Sequence, residues 1–281
     1  MKIKILIPII LTAIFMLAAC SGGGDESTAF VIAGSTSVQP YVERLVEEYA
    51  ALHPDSLIDV QGGGSSAGIQ AVESHTAQIG MSSRNLKDTE RDLWSIEIAK
   101  DALAIIINPN NPLVDDVNGD ISLTLEQIRK IYTAEYNNWS QLGGSDARIH
   151  VITREEGSGT RSAFEELVME DKRITPRAIV QDSNGSVRQL VSDDPFSIGF
   201  ISLGLVNVGV RPVKALCING VPATKEDVID GFYTLYRSFL FVSLEKPTGN
   251  VMEFIDFIRS PEGQNLMSAE GLIPERVIHS D

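Results

Sequence analysis

Four short stretches rich in glycine and hydroxyl side chains carry the chemistry available to this chain. They are Gly34-Ser35-Thr36-Ser37, Gly62-Gly63-Gly64-Ser65-Ser66, Arg154-Glu155-Glu156-Gly157-Ser158-Gly159-Thr160-Arg161 and Asp182-Ser183-Asn184-Gly185-Ser186. Each puts hydroxyls and backbone N–H donors where a helix is expected to begin. There the first amides have no partner inside the helix, and the aligned peptide dipoles add roughly half a positive charge. Glycine permits close backbone approach and positive φ. Donors of this kind suit a tetrahedral oxyanion, because Ser and Thr hydroxyls can both donate to its oxygens and accept from an acidic OH. Any single turn by itself reads more readily as a set of N-caps. The third turn shifts the balance, since Arg154 can fork onto oxyanion oxygens beside a glycine-rich helix start. A surface ion pair between Arg154 and Glu156, with no ligand, is the alternative.

The elements that must position these turns recur along the chain. Phe30 to Ala33 reads as a buried strand, followed by a helix with Val38, Tyr41, Val42, Leu45, Val46, Tyr49 and Leu52 on one face and His53-Pro54 as its stop. Leu57 to Gln61 and Ala67 to Ser74 repeat the strand–turn–helix unit, and Ile149 to Thr153 with a helix from about Thr160 repeats it again. A weaker copy pairs Ala178 to Gln181 with Val187, Leu190 and Val191. Such alternation predicts an α/β fold with largely parallel sheets. Two apolar strands, Ala102 to Asn108 and Phe239 to Ser243, bracket a middle region the size of a small domain. That spacing suits two lobes with a ligand cleft between them. Leu125, Ile128, Ile131 and Tyr132, like Val251, Phe254, Ile255 and Ile258, read as core faces, and Trp94 and Trp139 as structural.

Residues 1–19 have the grammar of a secretory signal: Lys2 and Lys4, an apolar run from Ile5 to Leu17, then Ala18-Ala19 before Cys20. The run is shorter than the ~20 apolar residues needed to span a bilayer and contains Pro8. Leu-Ala-Ala-Cys resembles the bacterial lipobox, which implies an acylated Cys20, with Ser21 to Thr28 as a flexible tether. Cys217 is the other cysteine, so no intrachain disulfide is expected once Cys20 is lipidated. Within Ala215-Leu216-Cys217-Ile218 it reads as a small buried hydrophobe. The net charge is −15, and loss of Lys2 and Lys4 with the signal takes it to −17. Such a chain lacks the basic footprint of a nucleic-acid binder. An anion must therefore be held by local dipoles working against the overall field.

With these residues in view, the chain resembles the phosphate-binding proteins of bacterial phosphate importers, the PstS type. The matching stretches are AGSTSVQPYVERL, QGGGSSAGIQAV, IGMSSRNLKDTE, ITREEGSGTRSAF, SNGSVRQLV with SIGFISLG, VKALCINGV, and SPEGQNLMSAEGLIP, running in family order from about residue 30 to 274. The resemblance implies an α/β, two-lobed type II periplasmic-binding-protein fold with a hinged inter-lobe cleft. Lobe one would span 29–107 and 238–281, and lobe two 108–237. Carried over by position, Thr36 gives a hydroxyl, Ser37 an amide, and Ser65 both. Arg154 would donate to phosphate, Glu156 would fix its guanidinium, and Ser158, Gly159 and Thr160 would close the site. Well-known members have Ser-Asp in the loop after Gly80, whereas this chain has Ser82-Ser83. Ser83 thus stands where a proton-accepting carboxylate is expected, which puts discrimination against sulfate in question. The implied role is that of an extracytoplasmic, lipid-anchored monomer, needing no cofactor and not an enzyme. It would deliver inorganic phosphate to the permease and ATPase subunits of an ABC importer. A carrier of sulfate or molybdate is the alternative within the class. Arg84 and Arg161 stay outside the expected site.

Other chemistries fit less well. Gly64-Ser65-Ser66-Ala67-Gly68 matches G-x-S-x-G, but a hydrolase needs an acid and a histidine, and neither His75, His150 nor His279 is suitably placed. There is no G-x-x-x-x-G-K-[ST] for ATP. Asp115-Asp116-Val117-Asn118-Gly119-Asp120 lacks the spacing and terminal glutamate of an EF-hand loop. Scattered histidines and one usable thiol argue against a transition-metal site.

Overall fold

The computed structural model describes residues 29–113 and 121–275. Cys20 with its flanking segments, and Asp115 to Asp120, lie outside the described residues. The strands that build the site are β1 (Ala29–Gly34), β2 (Leu57–Gly62), β3 (Ile79–Ser82), β4 (Trp94–Ile107), β5 (His150–Arg154), β6 (Ile179–Gln181), β7 (Ser197–Ser202) and β8 (Tyr236–Ser243). They form one continuous sheet in the order β2-β1-β3-β8-β4-β7-β5-β6. Each end of the sheet is parallel, β1 with β2 and β3, and β5 with β6 and β7. The centre is antiparallel, where β8 and β4 join the two ends.

Strand β4 makes this junction. Its first half, Trp94 to Ala102, pairs with β8, and its second half, Leu103 to Ile107, pairs with β7. The second half is fully buried and continuously apolar, as a strand covered on both faces must be, and was legible as a strand for that reason. The first half alternates with Ser95, Glu97, Lys100 and Asp101, which hid it from a search for apolar runs. A bulge between Phe239 and Leu240 interrupts the β8–β4 ladder.

Helices α1 (Gln39–Leu52) and α2 (Ser65–Glu73) follow β1 and β2. Helix α3 (Leu125–Tyr132) precedes β5, while α4 (Gly159–Phe164) and α5 (Asn184–Asp193) follow β5 and β6. Helix α1 buries Tyr41, Val42, Leu45 and Tyr49 against β1, β3 and β8, a cluster shared with Phe239, Phe241 and Phe254. Each such side chain contributes about 1.5–3 kcal/mol of apolar burial. A second core centres on Trp139, Tyr132, Phe164 and Phe200 beyond the crossing. Trp139 is fully buried and donates its indole N–H to the Phe196 carbonyl at 3.0 Å. Cys217 is buried as well. Among the described residues no helix is long and apolar enough to cross a membrane.

Candidate functional site

The turns after β1, β2 and β3 interlock. The Gly34 carbonyl accepts the Gly63 and Gly64 amides at 2.8 and 2.9 Å, which draws the second turn over the first. Gly64 stands at φ 91° as it hands the chain into α2, a conformation that favours glycine. Ser35 donates its hydroxyl to Ser83 Oγ at 2.8 Å and accepts the Ser37 amide at 3.2 Å. The Ser83 amide donates to Ser65 Oγ at 3.0 Å. Ser35, Ser37, Ser65 and Ser83 are all buried, so this wall is a set of hydroxyls withdrawn from water.

The facing wall comes from the turns after β5 and β6. Arg154 ends β5 with only 1 % of its surface exposed. Its Nε and Nη2 donate to Glu155 Oε2 and Oε1, both at 2.9 Å, and Nη2 also reaches the Asp182 carbonyl at 3.1 Å and Thr36 Oγ1 at 3.3 Å. Its Nη1 is buried and makes no hydrogen bond. Asn184 donates from Nδ2 to Ser37 Oγ at 2.9 Å and Thr36 Oγ1 at 3.3 Å. Thr160 Oγ1 lies 2.7 Å from Ser37 Oγ. The Ser66 amide donates across the cleft to the Gly157 carbonyl at 3.1 Å. At Gly159 a Cβ would fall 2.1 Å from Ser65 Oγ and 2.5 Å from Ser83 Oγ, so any larger residue there must displace these buried hydroxyls. Ser158 and Ser183 do act as N-caps, accepting the Arg161 and Ser186 amides.

A second guanidinium closes the floor. Arg237 on β8 faces Asp101 on β4 and donates from Nε and Nη2 to Asp101 Oδ2 at 3.2 and 3.0 Å. Nη2 also donates to Ser37 Oγ at 3.0 Å. Burial pushes both groups toward their neutral forms, Asp101 upward and Arg237 downward, and their mutual attraction offsets part of that.

The structure therefore brings Thr36, Ser37, Ser65, Ser83, Arg154, Ser158, Gly159 and Thr160 together at one junction of turns. Glu156 is the exception. The partner of Arg154 is Glu155, whose amide is tied to the Gln181 carbonyl at 3.1 Å, while Glu156 is exposed at the tip of the turn. Arg84 is not a solvated charge: it is buried and bidentate on Glu90 at 2.7 and 2.8 Å. Its Nη2 also donates to Ser66 Oγ at 3.3 Å, so the G-x-S-x-G serine meets an arginine. Arg161 donates to the Arg154 carbonyl and to Glu165. His150 pairs with Asp194 at the opposite end of β5 from Arg154. Ser35, Asn184, Asp101 and Arg237 were missed. Asn184 lay within a turn already singled out, and Arg237 is a lone cation separated only by Ser238 from the apolar run Phe239 to Val242, a pattern that signals a buried, partnered charge. The surface hollow between Val72, Gln78, Ser243, Thr248 and Val251 gathers neither Arg nor Lys. No cluster that could hold a metal occurs among the described residues.

Comparison with known proteins bears on the fold and the family. Residues 21–262 match the PBP superfamily domain. The phosphate-binding protein PstS of Borreliella burgdorferi is 30 % identical over 96 % of this chain and 98 % of its own length. That of Bacillus subtilis is 28 % identical over 97 % and 94 %. A Clostridium perfringens structure, described as a phosphate ABC transporter substrate-binding protein with bound phosphate, superimposes with a TM-score of 0.81. It is 40 % identical and covers 88 % of this chain and 100 % of its own. These relatives are transport binding proteins rather than enzymes, and with them the chain belongs to the PstS family of phosphate-binding proteins.

Proposed function

We propose that this chain binds inorganic phosphate between two lobes and delivers it to an ABC-type importer. The observation that carries the reading is the buried Nη1 of Arg154, which makes no hydrogen bond on a guanidinium whose Nη2 reaches Thr36 Oγ1, a hydroxyl that shares the Asn184 amide with buried Ser37. A buried donor left without an acceptor is costly, and an oxyanion supplies the acceptor. In this reading Arg154, with Glu155 holding it, provides charge. Thr36, Ser37, Ser65, Ser83 and Thr160 provide hydroxyls, and Gly159 provides close approach. Lobe one would comprise 29–107 with 238–281 and lobe two 108–237, with β4 and β8 as the crossing. Acylation at Cys20 would hold a monomer on the outer side of a bacterial membrane.

The two carboxylates of the site, Glu155 and Asp101, are each engaged by an arginine. Among the described residues the site then has no carboxylate free of an arginine to meet the proton of hydrogen phosphate, which favours a second reading in which sulfate is also accepted. Calorimetric titration of the full-length chain in detergent, stripped of co-purified ligand, tests both. One-to-one phosphate binding tighter than ~10 μM is expected. Absence of phosphate binding refutes the reading, and displacement by equimolar sulfate establishes the broader specificity.

A further inference from the structure

Asp101 and Arg237 sit opposite one another at the point where β4 leaves β8 and begins to pair with β7. Asp101 is fully buried and Arg237 is 6 % exposed. Asp101 Oδ1 accepts the Ser202 hydroxyl at 2.7 Å, and Ser202 Oγ lies 3.2 Å from the hydroxyl of Tyr41 on α1. Both carboxylate oxygens are thus occupied. The guanidinium is used unevenly: Nε and Nη2 serve Asp101, Nη2 also serves Ser37 Oγ, and buried Nη1 makes no hydrogen bond. A guanidinium is planar, so Nη1 stands next to Nη2 at the end of the side chain that meets Ser37. Ser37 Oγ is also the atom contacted by Asn184 and Thr160.

A simple staple between two strands would be complete in the Asp101 contact. It gives no reason for a further nitrogen to be buried without an acceptor, or for Nη2 to reach Ser37. Arg154 shows the same arrangement from the other wall: Nε and Nη2 held by a carboxylate, Nη1 buried and unbonded.

We propose that Arg237 is a second anion-binding guanidinium, reaching the same oxyanion as Arg154 through Nη1, with Asp101 as the residue that positions it at the strand crossing. The proposal rests on the phosphate reading above. It places one cationic contact on the β4–β8 crossing itself, so that ligand and crossing share a residue.

The test separates anion binding from a structural role by the relative size of two effects. Phosphate titrations are made on the full-length wild-type chain, on Arg237→Gln, on Asp101→Asn and on the double variant Asp101→Asn/Arg237→Gln, with folding checked by circular dichroism. If Arg237 meets the anion, Arg237→Gln weakens phosphate binding by ~10-fold or more, because a charge-assisted contact is lost. Asp101→Asn keeps the guanidinium charge and loosens only its hold, so it weakens binding less than Arg237→Gln does. The double variant replaces a buried ion pair with two amides, a change that folded proteins often tolerate. It therefore decides the matter if Arg237→Gln alone does not fold, and the same loss is expected of it. The proposal is overturned if the two single variants weaken binding alike, or if the folded Arg237→Gln or double variant binds as wild type does while wild type binds phosphate. Failure of the wild-type chain to bind phosphate would overturn the phosphate reading and this proposal together.

Discussion

The Arg154–Glu155 and Arg237–Asp101 pairs do the same thing by opposite routes. Both hold a buried guanidinium through Nε and Nη2, leave Nη1 unbonded, and reach a hydroxyl of the first turn through Nη2, Thr36 in one case and Ser37 in the other. The first is made by neighbours in sequence at the end of β5, and Glu155 keeps 29 % of its side-chain surface in solvent. The second joins residues 136 positions apart, with side chains 4 % and 0 % exposed. A local pair costs little chain entropy and can be oriented by one turn, whereas a distant, fully desolvated pair exists only once both strands are in register. The first is therefore a property of the turn, and the second a property of the assembled fold.

The largest effect is expected from Arg154. Arg154→Gln removes a guanidinium that touches the Asp182 carbonyl and Thr36 as well as Glu155, and should weaken phosphate binding by ~100-fold or more, against the smaller loss expected at Arg237. Calorimetry on both variants ranks the two, and an equal or reversed order would mean that the strand crossing carries the anion. Gly159→Ala comes next. Its Cβ would lie 2.1 Å from Ser65 Oγ and 2.5 Å from Ser83 Oγ, so these hydroxyls or the walls that carry them must shift. A loss of ~10-fold or more is expected, mainly as faster release in stopped-flow displacement. Unchanged release kinetics would show that the walls need not meet when ligand is bound.

The local pair can be probed at its carboxylate. Glu155→Gln keeps hydrogen-bond acceptance but removes the charge that fixes Arg154, and a ~3-fold change in phosphate affinity is expected. Glu156→Gln, at the exposed tip of the same turn, should change it by less than ~2-fold. If Glu156 proved the more sensitive, the turn would have to rearrange around the ligand.

This contrast also sets how far the sequence could be read. The strand–turn–helix units were legible because glycine, hydroxyl and apolar periodicity are local signals, whereas the binding residues within them, and Ser83 outside them, came from the family resemblance. Glu156 was mistaken for Glu155 because spacing alone cannot say which of two adjacent glutamates turns inward at a strand end. β3 and β7, four and six residues long, were overlooked among longer apolar runs, although both are wholly buried. Asp101 and Arg237 were hidden more deeply. Each stands at the edge of an apolar run, and only the pairing of β4 with β8 brings the two charges together.

A third buried guanidinium sharpens the comparison by being held differently. Arg84 engages Glu90 through Nη1 and Nη2 and leaves Nε unbonded, with a further contact to Ser66 rather than to the hydroxyls around Ser37. Burial alone would raise the Glu90 carboxyl. The hydrogen bonds from Arg84 and the Lys87 amide, with the charges of Arg84 and Lys87, outweigh it and hold Glu90 below its ordinary 4.5. A depressed carboxylate stabilises the fold above its unfolded value and loses that contribution as pH falls through its folded value. Glu90→Gln should therefore cost about 1–3 kcal/mol at neutral pH. The gap from wild type should narrow as pH drops below 4.5. Thermal melts across that range check the stability, and a phosphate titration of the same variant, expected within ~2-fold of wild type, checks that this arginine serves the fold and not the anion. A gap that stayed constant with pH would mean that Glu90 is not held below its ordinary value. A large loss of affinity would place Arg84 with the other two.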